Sequence, residues 1–234
     1  MFAIYKRELK SYFIGGIGYV YIAVFLALSA LAFCLTTLHM MSTDVSAYCM
    51  IMLFLFIILV PLLTMKLFSE ERKLRTEALL LTSPVSLGGM VAAKYLAALT
   101  VFLATMALTS LNFITLYIYA EPQTSVLFGN VIALTLVGAA FIAIGTFISS
   151  LTENQLVAAV ATIGAIIFLL VIGFVNNFID VYAVRTVIGW ISIFSRFQNF
   201  TYGIFDFAAV LYYVSIIAVF LFLTVRVYEK RRWG

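Results

Sequence analysis

Six long apolar runs constrain this chain more than any other feature. A helix rises about 1.5 Å per residue, so crossing the hydrocarbon core takes about 20 apolar residues. Residues 17–38, 47–65, 95–119, 126–148, 156–175 and 204–225 meet that requirement. In lipid, every backbone N–H and C=O must be satisfied within the protein, so such runs fold as helices. The expected class is therefore all-α integral membrane, with six transmembrane helices. Composition agrees, because 10% of the 234 residues are charged where a soluble domain carries about 25%. A soluble enzyme and a nucleic-acid-binding domain are excluded on that ground.

Orientation follows from the basic residues, which stay in the cytoplasm when they flank spans. Of the 14 Lys and Arg, only Arg185 and Arg196 fall on one side. On the other side lie Lys6, Arg7 and Lys10 before the first span, and Lys66, Arg72, Lys73, Arg75 and Lys94 after the second. The tail adds Arg226, Lys230, Arg231 and Arg232. Both termini are thus expected in the cytoplasm. The first run exceeds the 7–15 residues of a signal-peptide core, so it reads as a retained span. Cys34 and Cys49 fall near neighbouring outer helix ends and read as reduced thiols acting as small hydrophobes.

Three regions are not simple spans. In residues 1–16, Phe2, Tyr5, Leu9 and Tyr12 recur at helical spacing with Lys6, Arg7 and Lys10 opposite. That pattern predicts an amphipathic helix lying in the membrane interface. Gly15, Gly16 and Gly18 then permit a sharp turn into the bilayer. Residues 66–94 form a cytoplasmic loop that opens as a charged helical extension, with Lys73 and Glu77 four apart on one face. A short apolar helix follows and must stop at Pro84, because Ser83 before proline disfavours helical geometry. Its leucines, Leu79, Leu80 and Leu81, need lipid or a partner protein to cover them. Residues 176–203 lie on the outer side, and their half Val181–Phe194 is hydrophobic yet too short to cross, so a flat outer lid is one reading. They read as one or two short helices dipping into the outer leaflet, with Arg185 and Arg196 seeking water or Asp180 and Asp206. The turn at residues 151–155 reads as a capping box, Thr152 with Gln155, and Glu153 sits at the positive end of the fifth span.

Catalytic motifs are missing. The sequence contains no phosphate-binding G-x-x-x-x-G-K-[ST] loop and no G-x-S-x-G elbow. One His and two Cys do not make a metal ligand set. No acidic residue falls inside spans one to five, which disfavours an ion-coupled carrier. The chain nominates no catalytic, cofactor-binding or metal-binding residue.

Residues 5–13, Tyr-Lys-Arg-Glu-Leu-Lys-Ser-Tyr-Phe, followed by Gly18-Tyr19-Val20, resemble the start of ABC-2-type permeases. The similarity is greatest to the gliding-motility-type permease subunit. Phe68-Ser69-Glu70-Glu71-Arg72-Lys73 and then Thr76 to Ser86 resemble that branch's cytoplasmic segment, and Lys94 falls where the family has a lysine opening its third helix. Leu151 to Gln155 and Gly203-Ile204-Phe205-Asp206 are also similar. The family often has Ser-Pro where this chain has Gly15-Gly16, and Gly-Thr where it has Arg75-Thr76.

The resemblance implies an ABC-2, type V exporter-like permease fold in one transmembrane domain, in the cytoplasmic membrane. It implies a non-catalytic subunit that works with a separate ATPase, which would carry ATP and Mg, and with a second permease half. Thr76, Glu77, Ala78, Leu79, Leu80, Leu81, Thr82, Ser83 and Pro84 would form the coupling helix docking on that ATPase. Thr152, Glu153 and Asn154 would make a lesser contact, and Tyr5, Lys6, Arg7, Leu9 and Lys10 would build the interface helix. The outer segment would close the substrate path. Two other readings stay open: an ATP-driven complex that transmits force without moving solute, and an ATP-independent channel or carrier.

Overall fold

A computed structural model describes residues 1–40, 43–77, 86–119, 122–176, 189, 192–201 and 206–233. Among them the chain is helical, with no strand. The helices are α1 (Phe2–Ile14), α2 (Ile17–Phe33), α3 (Ser46–Thr64), α4 (Lys66–Lys73), α5 (Leu87–Thr109), α6 (Asn112–Tyr119), α7 (Thr124–Leu151), α8 (Gln155–Val175), α9 (Ile193–Thr201) and α10 (Phe207–Trp233). Six segments are long and apolar enough to span a membrane: Ile17–Leu38, Ser46–Lys73, Leu87–Tyr119, Thr124–Leu151, Gln155–Val175 and Phe207–Arg232. The six apolar runs of the sequence are these six segments, most of them longer than the runs themselves.

Helix α1 turns into α2 through Gly16, whose φ of 74° lies in the left-handed region that glycine occupies without penalty. Its apolar face looks inward from Tyr5 to Tyr12, while Phe2 at its start is exposed. Tyr12 is buried and donates its hydroxyl to the Leu63 carbonyl at 2.8 Å, while Tyr5 pairs with Thr100 at 3.0 Å. Burial raises the Tyr12 pKa, so the hydroxyl stays neutral and able to donate. Lys6 and Lys10 are exposed, as an interface helix requires.

Several boundaries differ from expectation. The third span opens at Leu87 rather than at residue 95, because the Ser86 side chain accepts the Gly89 N–H and starts the helix early. Lys94 thereby lies inside α5. The same span breaks between Thr109 and Asn112, and Asn112 then reaches Ser29 of α2 at 3.3 Å. The expected Thr152–Gln155 capping box is not formed. Helix α8 starts at Gln155, so Asn154 is the cap, and its side chain accepts the Leu156 N–H at 2.9 Å. The last span starts after Asp206, whose carboxylate accepts the Ala208 N–H at 2.9 Å, and it runs on through the basic tail. Cys34 and Cys49 are both free thiols.

Helix α7 is the axis of the bundle, packing against α3, α4, α5, α8, α9 and α10. Lipid tails are as apolar as leucine, so contact between spans depends on close packing, which small residues allow. Gly138, Ala139, Ala140 and Ala143 of α7 are buried and supply that closeness. Ala23 and Ala27 of α2 and Ala161 of α8, small residues too, face outward instead. The Phe102 ring lies over Gly138, and a Cβ there would fall 2.1 Å from its Cζ. Phe102 in turn packs edge-on to Phe56 and Phe25, with ring centroids 5.4 and 6.3 Å away. Overpacked cores lose about 1–3 kcal/mol or more, so Gly138→Val should lower the melting temperature in detergent and the folded yield, while Gly164→Ala, which meets open space, should change neither.

Candidate coupling surface

The lysines and arginines of the described residues other than Arg196 gather at one end of the bundle, and several of them are held there by ion pairs. The central one is Lys94. It is 0% exposed, and its three ammonium protons have three acceptors. These are Glu8 Oε1 of α1 at 3.1 Å, Glu71 Oε2 of α4 at 3.0 Å and the Leu67 carbonyl at 2.6 Å. The ammonium also lies 5.0 Å from the Phe68 ring centre. Arg7 closes the cluster from outside, reaching Glu8 Oε1 at 2.8 Å and Glu71 Oε1 at 2.7 Å. Two cations and two carboxylates cancel, so a buried charge is matched rather than stranded. The hydrogen bond to Glu8 is the main cause holding the Arg7 guanidinium further in its charged form.

The junction between α3 and α4 carries the remaining bonds. A helix start leaves N–H groups without intrahelical partners. Here Ser149 Oγ of α7 accepts from Phe68 N at 3.2 Å and Ser69 N at 3.3 Å, and donates to the Met65 carbonyl at 3.1 Å. Arg72 binds the Leu151 carbonyl at 2.7 Å and Glu153 at 2.9 Å. Phe68 packs on Tyr228 of α10 with centroids 5.0 Å apart. Helix α4 is thus fastened to α1, α5, α7 and α10 within eight residues.

Helix α4 then stops at Lys73. Thr76 N–H returns to the Glu71 carbonyl at 3.0 Å and Arg75 N–H to Arg72 at 3.1 Å, a left-handed C-terminal cap that normally uses glycine. Arg75 holds that position at φ 56°. This explains the Arg75-Thr76 departure from Gly-Thr: the arginine adopts the glycine conformation. It also undoes the expected Lys73–Glu77 pair. Glu77 instead meets Arg231 of α10 at 3.0 Å, and Arg231 also binds the Ser150 carbonyl at 2.7 Å.

Of the expected contact residues, the structure therefore brings Thr76 and Glu77 to the same end as Thr152, Glu153 and Asn154, joined through Arg72 and Arg231. Residues 78–84 lie outside the described residues, as do most of 176–203. Within that outer stretch α9 packs on α7 and α8 with Phe194, Phe197 and Phe200 buried, and Arg196 lies 4.7 Å over the Tyr212 ring.

A sequence profile of ABC-2 family transporter proteins matches residues 34–233. The chain belongs to the ABC-2 transporter family. It is a membrane permease subunit of an ABC transporter, and its six spans fit that role. A search of curated proteins found no match.

The sequence nominated Arg7 as a headgroup contact and passed over Glu8, Glu71, Ser149 and Arg231. One signal was present. Glu8 falls between Tyr5 and Tyr12 at spacings of three and four, so a carboxylate sits on the inward stripe of α1. The ABC-2 permease should depend on this cluster. Lys94→Met leaves Glu8 and Glu71 to Arg7 alone, one negative charge in excess, and should cost about 3–5 kcal/mol, whereas Glu71→Gln leaves Lys94 with Glu8 and should cost about 1.5–3 kcal/mol; unfolding in mild detergent measures both. Arg75→Gly should stabilise by about 1 kcal/mol, by relieving the left-handed backbone, seen as a higher melting temperature.

Proposed function

We propose that this permease couples to a separate cytosolic ATPase through the loop after α4. In this reading the basic end faces the cytoplasm of the inner membrane, as the asymmetry of Lys and Arg requires. Residues 76–84 dock on the ATPase, Thr152, Glu153 and Asn154 make a second contact, and ATP with its Mg ion is bound by the partner. A second permease half, identical or related, completes the path between halves.

One observation carries the reading: both stretches leave from one base. Thr76 and Glu77 follow α4 directly, and the 152–154 turn is held to α4 by Arg72 at Glu153 and Leu151. A displacement delivered at either stretch reaches α4, and α4 is bonded to α1, α5 and α7. Rigid transmission of this kind is what ATP-driven switching of a membrane subunit needs. The resemblance of residues 68–73 and 76–86 to gliding-motility-type permeases keeps the output open to two forms, export of a solute and movement of a membrane complex.

The test is a mild-detergent pull-down of the tagged chain from its native membrane, with and without Leu79→Glu, Leu80→Glu and Leu81→Glu together. A cytosolic ATPase should accompany the wild type in stoichiometric amount and be lost from the triple variant, with the permease still in the membrane and eluting as before. A triple variant that keeps its ATPase refutes this docking segment. A folded wild type with no ATPase refutes the coupling and points to a channel or carrier.

A further inference from the structure

We infer that the angle between α1, α2 and α4 is a binding site for one anionic phospholipid of the leaflet at the basic end. The inference rests on membrane embedding and is independent of the ATPase.

Two cavities meet there. The first, of about 460 Å³, lies between α1 and α4 and is lined by three cations, Arg7, Lys10 and Lys66, and two carboxylates, Glu8 and Glu70, with Ser11 beside them. The second, of about 320 Å³, continues between α2 and α3 and is mainly apolar, with Val20, Val24, Leu62 and Met65 on its walls. Gly15 and Ile17 line both, so the polar notch opens into the apolar groove at the α1–α2 turn.

Charge favours an anion in the notch. Arg7 is engaged by Glu8 and Glu71. Lys66 reaches Glu70 only at 3.8 Å, and Lys10 has no ion pair among the described residues. The notch therefore carries three cations against two carboxylates, with Lys10 unpaired and Lys66 loosely held to attract a phosphate, and Ser11 beside them. The order along the site is thus anion attraction, then apolar wall. A phospholipid presents phosphate and then acyl chain in that order. A soluble anion matches only the first part, and a detergent-like sterol only the last.

Native mass spectrometry of the purified full chain in neutral detergent tests this, with dioleoyl phosphatidylglycerol, dioleoyl phosphatidylcholine and glycerol 1-phosphate as probes. One phosphatidylglycerol should be retained per chain, about tenfold more tightly than phosphatidylcholine, as two lysines near an anionic headgroup suggest. The K10Q/K66Q variant should bring the two lipids level. Val24→Trp, which fills the groove, should weaken both. Each variant is compared at an unchanged elution profile. Equal affinity of wild type for both lipids overturns the proposal, and so does undiminished phosphatidylglycerol binding by K10Q/K66Q and by Val24→Trp. Binding of glycerol 1-phosphate as tightly as the lipid overturns it in favour of a simple anion site.

Discussion

The ammonium of Lys94 is the constraint around which one end of this molecule is organised. A lysine with no exposed surface must have every proton accepted, or it loses its charge. Here the acceptors come from three elements: Glu8 on α1, Glu71 on α4 and the carbonyl of Leu67. None of these positions is free to drift, because each would strand the cation. The interface helix is therefore more than a membrane anchor. Through Glu8 and Arg7 it joins the same charge cluster as the extension of the second span.

That cluster also explains how a helix passes from lipid to water without losing its bonds. At the α3–α4 junction the exposed backbone groups turn to side chains of neighbouring helices. Tyr12 donates to Leu63, and Ser149 serves Met65, Phe68 and Ser69. Each bond replaces one that water would otherwise make, and each fixes the direction in which α4 leaves the bundle. Deeper in, where no polar bond is available, closeness takes over. Gly138 admits the Phe102 ring, and the phenylalanines at 25, 56 and 102 form one packed group.

The spans were legible because hydropathy alone decides them: a run of some 20 apolar residues has no other stable fate in a bilayer. The charge asymmetry was equally plain. What could not be read was which charges pair. Lys94 looked like a loop residue because its neighbours Ala92 and Ala93 and the glycines at 88 and 89 carry little apolar weight, yet the Ser86 cap extends α5 beneath it. Lys73 and Glu77 have ideal helical spacing, but one left-handed residue, Arg75, ends the helix between them. Thr152 and Gln155 have the spacing of a capping box, but Asn154 lies two positions closer to the helix and wins. Each miss turns on the choice of a cap among neighbouring residues or on a single backbone torsion, and neither has a periodic signature.

The strengths of these contacts grade along the chain. From Met65 to Arg72 the bonds are buried or shared by several partners, and Lys94 at their centre has a side chain 1% exposed. At Glu77 the tie is one ion pair to Arg231, with side chains 16% and 24% exposed. Water screens such a pair, so it is worth less than the cluster behind it. A force applied beyond Glu77 would therefore release Arg231 first and leave α4 intact. Arg231 also holds the Ser150 carbonyl, so α10 would stay tied to α7 while the loop moves away from it. The extension of the second span would then act on α1, α5 and α7 as one body. Strength is concentrated where the helix enters the membrane, at the sealed Lys94 site, while the Glu77–Arg231 and Arg72–Glu153 pairs at the loop and the turn are open to water.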